Sequence, residues 1–501
     1  MRAFFVVVGI FLPKKYLILW QIFFKEMLKL LFVVYLTILA GGLVAQSLEG
    51  EMPNEKMDSI TIGNIFIDCH HKTKERIILR ELMVKKGMRV PKDALRKLLD
   101  KENQKLFNTD LFIVAEVLPL PARQDSVDLV VSLIEKWYFY PIPILELADR
   151  NFNEWWQQRN ADIGRLNYGI NFRQQNVGGR NEDLRVLLQV GFTKKIGIEY
   201  HIPYINGKQT TGINFGISYS ENKDIAFKIF RDKLVFSKGI FNEKEGVLLR
   251  NFSADINITK REHFYNSHSF NLSYHYRATQ DSVLFFNPNY FPNSSTQFQY
   301  MALGYQFLRD LRNAAPYPLT GLYLKLDFVQ RGLGILSNFN QTQLETVFAK
   351  FTSLGKNFFW AGSARAAFVF PENQPFSQLQ TFGFRRNYLR GYELYAIDAT
   401  RFAILKNTLR YQVFNTQKKI KYIPLEQFNT VPVALYLKIY ADMGYAYKTQ
   451  VGDDDFLSRR LLSSYGVGAD LVTYYNMVFR FEYSVNHLQK GGFFIGIQSD
   501  F

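Results

Sequence analysis

The sequence predicts a mainly β protein, in which an antiparallel transmembrane β-barrel of about 16 strands follows one small α+β domain. Composition is the first observation: 47% of the 501 residues are hydrophobic and 16% are aromatic, including 46 Phe and 29 Tyr. The second is that no run of about 20 apolar residues, the length of a transmembrane helix, follows residue 46. The third is a recurrent alternation of apolar and polar residues, typical of strands between lipid and a wet lumen. Composition alone leaves a large soluble β-protein as the alternative.

The N-terminal residues are predicted to contain two parts. Residues 27–46 have a basic start, an apolar core and a small-residue exit, which together indicate a signal peptide cleaved after Ala45. Residues 1–26 hold two apolar stretches split at Pro13, each too short to span a bilayer. We predict that translation begins at Met27 and that residues 1–26 are upstream sequence; a long signal anchor is the alternative.

Residues 58–136 predict a small domain with the element order β-α-α-β-β. The strands are expected at 60–68, 111–118 and 126–133, and the helices at 72–82 and 91–107, the second with Pro91 near its start. Residues 77–82, Gly87, residues 106–112 and Glu135 resemble the POTRA (polypeptide-transport-associated) domain, although Cys69 and His70 stand where Gly-Asn is usual. The resemblance implies an exposed sheet edge that pairs with an extended client by strand addition. A plug or spacer is the alternative.

Residues 137–501 predict the barrel. Turn residues at 176–181 and at Asn206-Gly207 predict hairpins, and apolar residues alternate with polar ones at 322–331 and 477–486. In the last strand an apolar face ends at the C-terminal Phe501, which resembles the assembly signal of bacterial outer-membrane barrels. Such a strand must pair with the first, because an open sheet edge is unstable in lipid.

One pair of motifs indicates an ion pair inside the barrel. Leu389-Arg390-Gly391-Tyr392 lies in a long polar and aromatic segment between two predicted strands, and Tyr440-Ala441-Asp442-Met443-Gly444 lies within a later strand. In residues 433–447 the odd positions are mostly apolar, so Asp442 is expected on the polar, lumen-facing side. Arg390 then requires a loop that folds back inside. Two unrelated surface charges are the alternative.

In this order, the elements resemble the BamA/TamA superfamily of outer-membrane assembly and translocation proteins. Leu389 to Tyr392 corresponds to the family's (V/I)RG(F/Y) loop motif with Leu in the first place, and Tyr440, Asp442 and Gly444 match its aromatic-x-Asp-x-Gly strand motif. A family hairpin before the ninth barrel strand is matched by Asp310, Arg312, Asn313, Pro318 and Gly321. The resemblance implies that Arg390 pairs with Asp442, that Gly391 permits a close approach, and that Tyr392 packs on the lumen wall.

The resemblance also implies a weakly paired seam between the first and last strands, which opens laterally for a client. Gly491 and Gly492, just before the predicted last strand, are compatible with such a seam. The expected partners are unfolded outer-membrane or secreted polypeptides, or lipid, together with outer-membrane lipids and periplasmic assembly partners. The expected location is the bacterial outer membrane, with the small domain in the periplasm. A passive channel, and a surface-binding barrel using loops 231–244 and 371–400, are the alternatives.

Charge and motif content exclude other classes. The formal net charge is +16, yet no nucleic-acid-binding module is visible, so the basic residues are assigned to loops and lumen. The single Cys69 excludes an intramolecular disulfide. His70 and His71 are adjacent and point opposite ways on a strand, which argues against joint metal ligation. We predict no cofactor and no enzymatic activity, because no nucleotide-binding loop or nucleophile-base arrangement stands out.

Overall fold

The structure, a computed structural model, describes residues 59–69, 72–123, 125–149, 152–208, 210–241, 246–262, 265–379, 381–383, 387–419, 430–449, 455–473 and 477–496. The predictions for residues 1–46, for His70 and His71, and for Phe501 lie outside these residues. The chain divides into two compact units. The larger one comprises Thr61–Arg89 and Ala94–Phe501, and the described part of the smaller one is limited to residues 59–60 and Val90–Asp93.

The N-terminal region is a four-stranded sheet with two helices. Its elements are β1 (Ser59–Cys69), α1 (Glu75–Glu81), β2 (Arg89–Pro91), α2 (Lys92–Asn108), β3 (Phe112–Arg123) and β4 (Ser126–Glu135). The sheet order is β2-β1-β4-β3, with β1 parallel to β4 and β3 antiparallel to it. The predicted order lacked β2. This strand forms where the chain returns along β1, and just before it the Ile62 N–H donates to the Met88 carbonyl.

The barrel strands follow as one antiparallel sheet of 16 strands, which confirms the predicted fold class. They are β5 (Phe139–Leu147), β6 (Leu166–Val177), β7 (Glu182–Gly191), β8 (Thr193–Ile202), β9 (Thr211–Asn222), β12 (Leu249–Glu262), β13 (Asn266–Thr279), β14 (Gln297–Asp310), β15 (Gly321–Arg331), β16 (Gln341–Gly355), β17 (Phe358–Phe370), β20 (Arg401–Lys419), β21 (Thr430–Tyr447), β22 (Leu461–Val472), β23 (Val478–Asn486) and β24 (Gly491–Gly496).

Smaller elements lie in the connections. Two two-stranded sheets pair β10 (Ala226–Phe230) with β11 (Lys233–Phe236) and β18 (Thr381–Phe382) with β19 (Ile397–Asp398). Helix α3 (Phe152–Gln158) joins β5 to β6, and α4 (Asp281–Phe286) joins β13 to β14. Among the described residues, no helix has both the length and the apolar composition needed to cross a bilayer.

Each barrel strand presents one face to each side of the sheet. Along β21, Leu437, Ile439 and Met443 are exposed, whereas Lys438 and Asp442 are buried. This is the predicted alternation, and it follows from the two-residue period of a strand. An outward row of exposed apolar side chains is what a lipid-facing surface requires.

The two ends of the barrel differ. We call the end where β5 begins, beside the small sheet, the domain end, and the opposite end the far end. At the far end, loops and strand ends from β9 to β16 bury a mostly aromatic cluster that comprises Ile225, Phe227, Phe241, Leu248, Val283, Tyr290, Phe291, Phe298, Tyr300, Ala302 and Phe339. This cluster fixes the far-end loops to one another through burial of apolar surface.

Candidate functional site

The lumen loop, which we define as residues 387–396, lies between β17 and β20, the eleventh and twelfth barrel strands. Leu389, Arg390 and Tyr392 in it are almost completely buried. Leu389 and Tyr392 join a hydrophobic cluster with Phe382, Phe402 and other residues on the surrounding strands. Much of the segment that would form a long outer loop at 371–400 is therefore packed among barrel side chains.

Arg390 is held by two charge-assisted hydrogen bonds. Its Nε lies 2.6 Å from Asp442 Oδ2 and its Nη2 lies 2.5 Å from Asp442 Oδ1, a bidentate geometry. Nη2 also donates to Thr408 Oγ1 at 3.0 Å. The guanidinium carbon stands 3.8 Å from the centre of the Tyr440 ring. Arg390 is 0% and Asp442 1% exposed, so the pair is removed from water and each charge depends on the other.

The neighbours of Arg390 explain why the motif contains glycine and tyrosine. Gly391 has φ +81°, and a Cβ there would lie 3.3 Å from Ser484 Cβ and 3.4 Å from Ser464 Cβ. Glycine alone accepts both the conformation and the approach without strain. The Tyr392 hydroxyl donates to the Ser463 carbonyl at 3.1 Å and shares a hydrogen bond with His487 Nδ1.

The strand motif makes room for the loop. A Cβ at Gly444 would lie 2.9 Å from Phe382 Cζ, so a larger residue would push this ring away. The Tyr440 hydroxyl shares a 2.7 Å hydrogen bond with Ser484 Oγ on β23. The Tyr440 ring thus stacks on Arg390, and its hydroxyl fixes that ring to β23. The structure brings the loop motif and the strand motif into one buried site.

Three further buried charges lie beside this pair, and sequence reasoning did not assign them to the site. Lys438 Nζ lies 2.7 Å from Asp470 Oδ1 and 2.8 Å from Glu482 Oε1, and Glu482 Oε1 is 3.8 Å from Arg390 Nη1. All four side chains are buried. The only signal in the sequence is that each of these charged residues occupies a strand position whose side chain faces the inside of the barrel. Which inward charges meet depends on the register of β21, β22 and β23.

The hairpin before β15 reaches the same network from the domain end. Tyr317 in the turn donates through its hydroxyl to Asp470 Oδ2 at 2.9 Å. Arg410 Nη1 donates to the Pro318 carbonyl at 2.9 Å. At its base, Arg312 Nη2 pairs with Asp310 Oδ2 at 2.6 Å, and Gly321 begins β15. Two motifs that the sequence presents separately are thus joined through Glu482, Lys438 and Asp470.

We expect Tyr317→Phe to loosen this connection. The change removes the hydroxyl donor to a buried carboxylate, and a hydrogen bond to a charged group contributes about 1.5–3 kcal/mol. Urea unfolding of the detergent-solubilised protein should show a loss of this size. Tyr323→Phe is the control, because its ring contact with Arg312 does not need the hydroxyl. Equal stability of the two variants would contradict the proposed connection.

At the far end, the tip of the β10–β11 hairpin is fixed to the lumen loop. The Asp232 carbonyl accepts from the Ala396 N–H at 2.8 Å, and Asp232 Oδ2 accepts from the Phe456 and Leu457 N–H groups at 3.0 and 2.9 Å. Burial raises the pKa of the Asp232 carboxyl to about 6, with Asp455 adding to the effect while the two N–H groups and Lys448 oppose it.

Docking of this hairpin should depend on pH. Because the folded pKa lies above the ordinary value of 3.8, the charge destabilises the docked state above pH 6 and not below about pH 4. Hydrogen exchange should be measured in residues 226–236 and corrected for the intrinsic pH dependence of amide exchange. The protection factors at pH 4.5 should exceed those at pH 7.5 by roughly tenfold or more. Asp232→Asn should abolish this difference, whereas the exposed Asp281→Asn should preserve it. A pH-independent wild type would contradict the assignment.

The barrel seam, meaning the junction of β5 and β24, lies at the two ends of the sheet order. Within the described residues no ladder joins these strands. Gly491 and Gly492 are the first two residues of β24, paired with Val485 and Ser484, so their predicted place before the strand was wrong. Neighbouring rings cover both glycines: a Cβ would lie 2.4 Å from the Tyr483 hydroxyl at Gly491 and 2.8 Å from the Phe494 ring at Gly492.

The small domain is attached to the barrel at the β6–β7 turn. The Lys74 N–H donates to the Gly179 carbonyl at 2.9 Å, and Asn176 Nδ2 donates to Thr73 Oγ1 at 2.8 Å. A further contact places the Arg80 guanidinium 3.9 Å from the centre of the Tyr204 ring, in the β8–β9 turn. Sequence reasoning identified residues 176–180 as a turn but not as a docking point.

The free edge of β3 is poor in hydrogen-bond donors. The Val117 N–H donates at 2.7 Å to Asn103 Oδ1 on α2. The N–H groups of Val117 and of every second residue along β3 therefore point away from β4. The next two such positions are Pro119 and Pro121, which have no N–H. The opposite edge, β2, has three residues and ends at Pro91. Strand addition to either edge is disfavoured, because an arriving backbone would find few donors.

Metal chemistry has no evident site in the described part of the chain, where no group of three or more His, Cys, Asp or Glu side chains is placed to hold an ion.

Solved structures share this fold. BamA from Haemophilus ducreyi lacking POTRA domains 1–3 is similar over 87% of this chain and 83% of its own, with 14% identity and a TM-score of 0.50. CdiB from Escherichia coli is similar over 88% and 76%, with 10% identity and a TM-score of 0.53. No curated protein sequence matches the chain. Residues 176–492, more than half of the chain, match the Omp85 superfamily domain. The predicted resemblance is confirmed, and the protein belongs to the Omp85 superfamily of outer-membrane β-barrel proteins.

Proposed function

We propose that this protein binds unfolded polypeptides and inserts them into, or moves them across, the outer membrane. The domain end faces the periplasm and the far end faces the cell surface. The observation that carries the proposal is the lumen loop, held inside the barrel by the buried Arg390–Asp442 pair. The specific buried contacts of this loop favour a role in the activity of the barrel over a role as the lining of a pore.

The proposed activity is non-covalent and uses the edge of β24. The Phe493 carbonyl accepts a hydrogen bond from outside the β23 ladder, so the backbone groups of Phe493 and Ile495 point away from β23. A client strand can pair with these groups, because among the described residues no ladder with β5 occupies this edge. Backbone pairing tolerates many client sequences, because it reads no side chain.

Capture in the periplasm is assigned to the open face of the small sheet. Its edges are short of donors, but the face away from the helices exposes apolar side chains, namely Phe66, Leu118, Leu120 and Ile134. Unfolded outer-membrane clients carry alternating apolar residues that such a face can bind by apolar burial.

A passive channel is less well supported. Arg390, Lys438, Asp442, Asp470 and Glu482 fill the inner face of strands β21 to β23 and the loop, and all are buried. Side chains lining a water-filled pore would be solvated. The far-end aromatic cluster is a second obstacle to free diffusion.

The test is folding of a urea-unfolded outer-membrane barrel into liposomes that contain the protein. We expect faster folding, measured by protease protection and by the heat-dependent gel shift, than in empty liposomes or in liposomes with a passive porin. Ile495→Pro should abolish the gain, because it removes a donor from the free edge of β24 and leaves the β23 ladder intact.

The matched control is Ile495→Val, which keeps the backbone N–H and the outward apolar side chain. If the wild type gives no acceleration and planar bilayers show a constant large conductance, the passive channel is the correct function. If Ile495→Pro and Ile495→Val accelerate folding equally, the client does not use this edge.

A further inference from the structure

Helix α3 lies against the seam at the far end. The helix follows β5 in the chain. Its residue Asn153 is buried and donates through Nδ2 to the Phe493 carbonyl of β24. At its other end, Gln158 Nε2 donates to the Leu394 carbonyl of the lumen loop at 3.4 Å. One short helix therefore contacts the last strand and the lumen loop together.

The contact with β24 takes the place of a strand partner. The Phe493 carbonyl points to the side on which β5 would pair, and no ladder with β5 is present among the described residues. An amide side chain supplies the donor that a neighbouring backbone otherwise provides. An edge carbonyl without a partner in a membrane is costly, so this hydrogen bond stabilises the contact between α3 and the edge of β24.

The helix itself is firmly attached. The ring N–H of Trp155 donates to the Asp162 carbonyl at 2.9 Å, and Arg159 Nη2 lies 3.5 Å from Glu154 Oε1. Just before the helix, Asp149 accepts from Arg165 Nε with both oxygens, at 3.0 and 2.9 Å. These contacts place Asn153 on a fixed support, so its hydrogen bond restrains β24 rather than following it.

The outer side of α3 is aromatic. Trp156 is 59% and Phe152 37% exposed, and their rings stack with centroids 5.8 Å apart. Phe493 on β24 and Leu145 on β5 are exposed apolar side chains of the two seam strands. Tryptophan at the end of a membrane-crossing strand prefers the boundary between headgroups and acyl chains. Because Asn153 ties this helix to Phe493, the exposed aromatic side chains of α3 lie beside the lipid-facing surface of β24, and lipid is the occupant that fits them.

We infer that α3 is a lipid-anchored clamp on the seam: Asn153 holds the free edge of β24 closed, and Phe152 and Trp156 bind the outer lipid boundary. The inference rests on the proposed function, because it concerns the seam through which clients pass. Release of this clamp is then a step that precedes opening, and Gln158 links that step to the lumen loop.

Asn153→Asp tests the clamp in the full-length protein in lipid nanodiscs. The change preserves size but replaces the amide donor with an acceptor that faces a carbonyl. Hydrogen exchange of residues 491–496 should become roughly five- to tenfold faster, as expected for loss of one hydrogen bond that limits local opening. Gln157→Glu is the control, because it makes the same chemical change on the exposed side of the same helix. Exchange at the wild-type rate in Asn153→Asp overturns the clamp.

Trp156→Phe tests the lipid contact. In vesicles with lipids brominated near the headgroup end of the acyl chain, wild-type tryptophan fluorescence should be quenched. Trp156→Phe should lose a larger share of this quenching than Trp155→Phe, whose ring is half-buried. Equal losses in the two variants overturn the lipid assignment and indicate that the aromatic face meets solvent or protein instead.

The exchange measurement separates this inference from the proposed function. Faster exchange in β24 without any change in client folding supports the clamp and contradicts passage of clients through the seam. Unchanged exchange with altered client folding contradicts the clamp alone.

Discussion

Replacing Arg390 with Ala is expected to release the lumen loop and to lower the free energy of unfolding by about 3–5 kcal/mol. Asp442 would remain buried with its bidentate partner removed, and Glu482 would lose a neighbouring positive charge. The Tyr440 ring would also lose the cation stacked on it. Urea unfolding in detergent and proteolysis within residues 387–396 measure the two effects.

The control for Arg390→Ala is Arg185→Ala. Arg185 Nη2 lies 2.8 Å from Asp183 Oδ2, but its side chain is 45% exposed, so its loss should cost at most about 1 kcal/mol. The double change Arg390→Met with Asp442→Leu should recover part of the stability, because it leaves no unpaired buried charge. If Arg390→Ala and Arg185→Ala are equally stable, the pair does not brace the loop.

Gly179→Ala is expected to detach the small domain from the β6–β7 turn. Gly179 has φ +71°, and a Cβ would lie 1.9 Å from the Lys72 carbonyl oxygen. No side chain can move to relieve this overlap, so the backbones must separate. The Lys74 N–H to Gly179 carbonyl bond would be lost with it. We expect hydrogen exchange in residues 72–81 to rise and client folding in liposomes to fall.

The adjacent Gly178→Ala is the control, because it separates the effect of the steric clash from the effect of backbone strain. Gly178 also has positive φ, +63°, but a Cβ there meets only the Arg180 side chain at 3.7 Å. It should cost the conformational strain alone, about 1–2 kcal/mol, and leave the small domain docked. Equal exchange in residues 72–81 of the two variants would mean that this turn does not hold the domain.

The alternation that was predicted from local pattern was confirmed along β21. A strand shows alternate residues to opposite sides whatever its neighbours are, so the exposure of Leu437 and the burial of Lys438 follow from their parity alone. The approximate number of barrel strands and the family could be predicted for the same reason, because turn residues and short motifs are local. The three-residue strand β2 was missed because only its pairing defines it.

The burial of Arg390 and Asp442 also shows where local pattern stops. Parity predicts that both Asp442 and Glu482 face inward, but not that Lys438 lies between Glu482 and Asp470. The motif around Tyr317 and Pro318 predicts a hairpin, but not that its tyrosine reaches Asp470. Helix α3 had no signal at all, since seven residues rich in aromatics and amides resemble a loop.

By itself, the sequence of this protein determined which side is apolar in several barrel strands, about how many strands the barrel has, and which loop carries the family arginine. Only the tertiary structure decided which buried charges meet, where the small domain docks, and what holds the seam. The physical reason is that side-chain direction is set by neighbouring residues of one strand, whereas contacts between strands depend on register and on the path of loops through space. These are fixed by the sum of many packing contacts, not by any one segment.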